Sequence, residues 1–84
     1  MKHAGDQALD ALEPVIARVR AIPGLTERRR GVFYRKSSAF LHFHEDPAGF
    51  FADAKLGDDW SRFPVNNQKE IATLLRELRK SLAT

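Results

Sequence analysis

Gly31-Val-Phe-Tyr-Arg-Lys-Ser-Ser-Ala-Phe-Leu-His-Phe-His-Glu-Asp-Pro-Ala-Gly-Phe-Phe-Ala-Asp-Ala-Lys-Leu56 is the stretch that decides the fold. Aromatic and β-branched residues alternate with polar ones through it, the period of two expected of half-buried strands. The pattern predicts strands over 31–36, 39–45 and 50–56. Ser37-Ser38 reads as the first turn. Asp46-Pro47-Ala48-Gly49 reads as the second, since proline fixes φ and glycine accepts positive φ. Asp46 is expected to cap that turn through its side chain.

The turns predict a register. Centred on Pro47-Ala48, the second sets Glu45 against Phe50, His44 against Phe51, Phe43 against Ala52, His42 against Asp53 and Leu41 against Ala54. Centred on Ser37-Ser38, the first sets Tyr34 against Leu41 and Phe33 against His42. One face then reads Val32, Tyr34, Leu41, Phe43, Phe50, Ala52, Ala54 and Leu56, apolar and suited to pack on helices. The second reads Phe33, Arg35, Phe40, His42, His44, Phe51, Asp53 and Lys55.

Outward from this meander the period changes to that of a helix. Leu9, Leu12, Val15, Ile16 and Val19 recur at spacings of three and four, predicting a helix over 6–22 with Asp6 as N-cap. Pro14 lies within it, so a kink or break is expected near Asp10–Glu13. Ile22-Pro23-Gly24 ends it. On the other side, 61–65 reads either as a short fourth strand, confined to an edge by Pro64, or as irregular structure. Asn67 and Glu70 form a capping box for a helix over 68–83, whose stripe is Ile71, Leu74, Leu75, Leu78 and Leu82. Residues 1–5 fall outside these elements, and the sequence leaves open whether they are ordered or disordered. The expectation is one domain over residues 1–84, of the α+β class. It is a small two-layer α-β-β-β-(β)-α arrangement with an antiparallel meander packed on N- and C-terminal helices.

Composition narrows the function classes. Apolar residues are 43% and charged ones 30%, as in a globular domain. A chain this short hides roughly 60–65% of its unfolded surface, so the core is thin. There is no cysteine, which excludes a disulfide scaffold and any thiolate zinc finger. No apolar run reaches the ~20 residues of a membrane span, and no secretory signal opens the chain. The expected location is cytoplasmic. Net charge is +3, unevenly spread: residues 17–36 hold Arg18, Arg20, Arg28, Arg29, Arg30, Arg35 and Lys36 against Glu27 alone. Local ion pairs are the plain reading of that run.

No nucleophile constellation, glycine-rich phosphate loop or calcium loop appears, so no catalytic residue is assigned and the reading leans away from an enzyme. Three candidate sites remain. Phe33, Phe40 and Phe51 on the second face, with Trp60 and Phe63 nearby, would leave an aromatic patch in water. That predicts cover by residues 60–65 or by a second copy of the chain in a homodimer. His42, His44 and Asp53 would supply two imidazoles and a carboxylate for Zn²⁺ or another metal; the plain alternative is a His42–Asp53 cross-strand hydrogen bond. Arg28, Arg29, Arg30 and Arg35 could meet phosphates, although no nucleic-acid-binding module is visible and such binding is not expected. No resident cofactor is expected, zinc at the histidines excepted.

The segments Gly31-Val-Phe-Tyr-Arg-Lys36, Phe40-Leu-His-Phe-His-Glu-Asp-Pro-Ala-Gly49, Ala52-Asp53 and Arg62-Phe-Pro-Val65 resemble a group of short bacterial proteins of about this length. The resemblance covers most of the chain from Ile22 onward. It implies a small bacterial α+β domain and brings no activity with it. Function is therefore expected to lie in self-association or protein binding through the aromatic and histidine face. Metal or small-ligand binding at His42, His44 and Asp53 is the alternative, and a nucleic-acid accessory role of Arg28–Arg30 the third.

Overall fold

The computed structural model describes residues 2–83. In chain order the elements are β1 (Lys2–His3), α1 (Asp6–Arg20), β2 (Thr26–Arg29), β3 (Val32–Arg35), β4 (Ser38–Asp46), β5 (Gly49–Lys55), β6 (Trp60–Pro64) and α2 (Gln68–Leu82). The strands form one antiparallel sheet in the order β2-β3-β4-β5-β6. β1 pairs with the far end of β4, Lys2 against Glu45 and His3 against His44. β5 occupies the other edge of those same residues, so β1 sits on the β3 side, beyond the point where β3 stops. The fold is thus the α+β sandwich expected, with two strands more than the sequence pattern marks.

Both helices pack on one face of the sheet. Leu12, Val15, Ile16 and Val19 from α1 and Leu74, Leu75 and Leu78 from α2 are buried in a single core with Phe33, Leu41, Phe43, Ala52 and Ala54. Ala52 and Ala54 leave room for the helices to approach the sheet, while the large side chains on either side fill the layer. α1 runs unbroken through Pro14. The exposed ring withholds one N–H from the Asp10 carbonyl, and the packing of the opposite face holds the helix together across that loss. Gly5 rather than Asp6 is its N-cap. α2 starts on Asn67, whose Oδ1 accepts from the Glu70 N–H at 2.9 Å. Glu70 in turn accepts from the Asn66 N–H at 2.8 Å, one residue earlier than a standard capping box.

The β4–β5 register is the expected one at every pair from Leu41↔Ala54 to Glu45↔Phe50. The β3–β4 register is not. Arg35 pairs with Ser38 and Tyr34 with Ala39, so the turn is Lys36-Ser37; a bulge at Phe40 then sets Phe33 against Leu41 and Val32 against His42. One residue of slip turns β3 over. Phe33 therefore points to the helices at 1% exposure, and the bulge admits Phe40 to the same core at 3%. Phe63, opposite Ala52, also packs on the core side. The predicted aromatic second face is corrected accordingly: of its phenylalanines only Phe51 remains there, half-buried.

Candidate metal centre

The face of the sheet turned away from the helices carries His42 and His44 of β4, two residues apart and so on the same side. Its neighbours follow from the ladder. His3 of β1 lies opposite His44, Asp53 of β5 lies opposite His42, and Arg62 of β6 lies opposite Asp53. The three imidazoles form a cluster. Ring centroids are 5.3 Å apart for His3 and His42, 4.9 Å for His3 and His44, and 4.7 Å for His42 and His44. Trp60 leans over its edge, 5.0 Å from the His42 ring, and is the one large hydrophobic side chain exposed among the described residues.

β1 owes its place to polar contacts. The Gly5 N–H donates to Glu45 Oε2 at 3.1 Å, Lys2 Nζ lies 3.1 Å from the other carboxylate oxygen, and the Ala4 N–H donates to the Phe43 carbonyl at 3.1 Å. These hold Glu45 ionised, its pKa below the usual carboxylate range because of the Gly5 bond first and Lys2 second. They also deliver His3 to the cluster.

Asp53 is 9% exposed and takes a bidentate pair from Arg62, Nε to Oδ1 at 2.8 Å and Nη2 to Oδ2 at 3.0 Å. That fork keeps its pKa below the ordinary range against the opposing effect of burial. The predicted His42–Asp53 hydrogen bond does not form. Instead His44 Nε2 approaches Asp53 Oδ2 at 2.9 Å, but without hydrogen-bond geometry. Both ring nitrogens of His44, and Nδ1 of His42, are buried with no hydrogen-bond partner. At that orientation the short approach makes no hydrogen bond, because hydrogen bonds weaken steeply off axis. Burial and the neighbouring His44 push the His42 pKa down, which favours the neutral ring.

One ligating atom from each of His3, His42 and His44 lies within 4.8 Å of the other two. A tetrahedral ion with bonds of about 2.0–2.1 Å sets its nitrogens about 3.4 Å apart. The cluster would close by about 1.4 Å at most, and His3 is the exposed member of the three, with His42 partly buried and His44 buried. Asp53 stands outside the converging set. Of the predicted ligands the structure brings His42 and His44 together and replaces Asp53 by His3.

No known protein family, curated protein or solved structure matches this chain.

The other predicted sites are dispersed. Arg30 reaches back to α1, bonding Asp10 at 2.7 Å and Glu13 at 2.9 Å. Arg28 stacks over Tyr34, 4.5 Å from its ring centroid. Arg20 grips Glu27 and Glu13, and Glu27 also accepts from the Gly31 N–H at 2.9 Å. The arginine run is thus partly taken up in local ion pairs, while Arg35 points elsewhere. No helix among the described residues is long and apolar enough to cross a membrane.

Proposed function

We propose that this protein binds a transition-metal ion through His3, His42 and His44. The observation that carries this reading is the convergence of three imidazoles, two of which, His42 and His44, carry buried nitrogens with no hydrogen-bond partner. A buried unsatisfied nitrogen costs about 1–3 kcal/mol, so a cluster of them calls for something to bind. An all-imidazole set suits Zn²⁺, Cu²⁺ or Ni²⁺ and discriminates against Mg²⁺ and Ca²⁺, which take oxygen. Asp53 fits the role of the outer carboxylate that orients a ligating histidine from behind, itself fixed by Arg62. A turn of the His44 ring that aligned Nε2 on Asp53 Oδ2, 2.9 Å away, would leave Nδ1 to offer the ion.

The test uses untagged protein. Trp60 is the single tryptophan, and its place beside His42 makes it a reporter: Cu²⁺ should quench its emission, saturating at about one ion per chain. His3→Ala, on the exposed strand where folding is not at risk, should weaken the quenching. His42→Gln with His44→Gln should abolish it. Unchanged titrations for the folded variants, or no quenching at micromolar Cu²⁺, would rule the centre out.

A second reading is association with another copy of the chain across the same face, supported by the 45% exposure of Trp60 beside the cluster. Sedimentation with and without Zn²⁺ tests it, and a monomer in both conditions ends it.

A further inference from the structure

We propose that a second site, independent of the histidines, binds a small phosphate-bearing ligand in the cleft beside the Lys36-Ser37 turn. The cleft encloses about 670 Å³ between that turn, the end of β5 and the last turn of α2, within the range typical of small-molecule sites. Four cations from three separate elements converge on it: Arg35 and Lys36, Lys55, and Lys80. Among the described residues Glu77 is the only carboxylate in its wall, and it sits 3.8 Å from Arg76.

What sets these cations apart is that four of them line one cleft without a counter-ion, whereas other unpaired cations such as Arg29 and Lys69 lie outside it. Lys2, Arg20, Arg30 and Arg62 are each matched to a carboxylate. Among the described residues, none of Arg35, Lys36, Lys55 and Lys80 makes an ion pair or a side-chain hydrogen bond. Four like charges drawn together with a single acid, Glu77, among them repel one another, and an anion relieves that repulsion. The turn hydroxyls of Ser37 and Ser38 in the same wall add donors of the kind phosphate oxygens accept. The carbonyl end of α2 opposes an anion with about half a negative charge, which four cations outweigh.

The cleft's form argues for a small ligand over a nucleic acid strand. Its cations converge on a concavity and do not run in a stripe. Its only aromatic residue among those described, Phe40, is 3% exposed and offers no platform on which bases stack.

Pyrophosphate, followed by calorimetry and by amide shifts in ¹⁵N spectra, is the probe. Shifts should gather at residues 35–39, 55–57 and 77–81. Lys36→Gln with Lys80→Gln, both exposed, should weaken binding about tenfold or more, the scale of lost charge-assisted hydrogen bonds. Arg29→Gln with Lys69→Gln removes equal charge outside the cleft and should leave affinity within about twofold. Equal weakening by the two pairs would reduce the effect to net charge and overturn the site. So would no binding at millimolar pyrophosphate, or tighter binding of a single-stranded oligonucleotide through the same residues. His42→Gln with His44→Gln should bind pyrophosphate normally, keeping this outcome separate from that of the metal centre.

Discussion

The two turns that flank β4 hold the sheet by opposite means. At Asp46–Gly49 the turn is written into its own residues. Asp46 Oδ2 accepts from the Ala48 N–H at 3.0 Å, and Gly49 holds φ +133°, a conformation only glycine adopts easily. Asn66 then clamps the next residue, accepting from the Phe50 N–H at 2.7 Å and donating to its carbonyl at 3.2 Å. At Lys36-Ser37 no side chain among the described residues braces the turn, and Lys36 sits at φ +58° where glycine or asparagine would be at ease. Here packing sets the register: burying Phe33, Phe40 and Leu41 together requires both the shorter turn and the bulge. A braced turn dictates its ladder, whereas an unbraced one yields to the core.

The largest expected effect tests that statement directly. Phe40 and Phe51 would share a face in a regular β4–β5 pair, yet one is in the core and the other half-buried among the histidines. Phe40→Ala should cost about 3–5 kcal/mol in denaturant unfolding, and Phe51→Ala well under half of that. Equal costs would mean that the bulge does not deliver Phe40 to the core.

Next in size is the effect expected of the proposed metal, at the end of β4 where β1 takes over from β3. An ion at a hundredfold excess over its dissociation constant adds about 2.7 kcal/mol to folding stability. Because His3 belongs to β1 and the other ligands to β4, Zn²⁺ should also slow exchange of the Ala4 amide that bonds Phe43. EDTA should reverse both effects, and His3→Ala should remove the exchange effect. Protons work against the ion. Folding lowers the His42 pKa below its ordinary 6.5, so as pH falls through 6.5 the unfolded chain takes up a proton before the folded one does. Stability from this group is therefore complete above pH 6.5 and is lost progressively as pH falls toward the lowered value. A titration of unfolding free energy between pH 7.5 and 5 should show that decline, and His42→Gln should flatten it.

Much of this architecture was legible in the residues, and what was not has physical causes. Alternation and the proline–glycine turn gave the β4–β5 ladder pair by pair; the leucine stripe and Asn67 gave α2. β2, Thr26-Glu-Arg-Arg29, escaped because an edge strand guarded by charge has no apolar alternation to show. β1 escaped because two polar residues carry no period at all, and its docking rests on Glu45, more than forty residues away. With it went His3, although the chain has only three histidines and all three meet at one place. The bulge left one sign: the adjacent Phe40 and Leu41 cannot both face inward from a regular strand.

Gly49→Ala is expected to cost about 1–3 kcal/mol, through a φ that alanine resists. Its Cβ would also come within 2.6 Å of Asn66 Oδ1, so the Asn66 clamp must shift as well. Thermal unfolding would read the loss, and Asn66→Ala should reproduce part of it by freeing Phe50. A neutral Gly49→Ala would show that the β4–β5 register, like its neighbour, is held by packing alone.

The smallest effect has the opposite sign. Lys36→Gly should stabilise by up to about 1 kcal/mol, because relief of the left-handed penalty for a side chain, about 1–2 kcal/mol, exceeds the added flexibility of the unfolded chain, about 0.5–1 kcal/mol. The same substitution removes a cation from the cleft, so pyrophosphate affinity should fall as stability rises. Lys36→Asn separates the two, since asparagine tolerates positive φ with less backbone freedom and removes the charge equally. If glycine and asparagine both stabilise the fold and both weaken the anion, the lysine is retained at that turn for its charge and against the preference of its backbone. If both leave stability unchanged, the Lys36-Ser37 turn carries no strain and its register is set wholly by Phe33, Phe40 and Leu41.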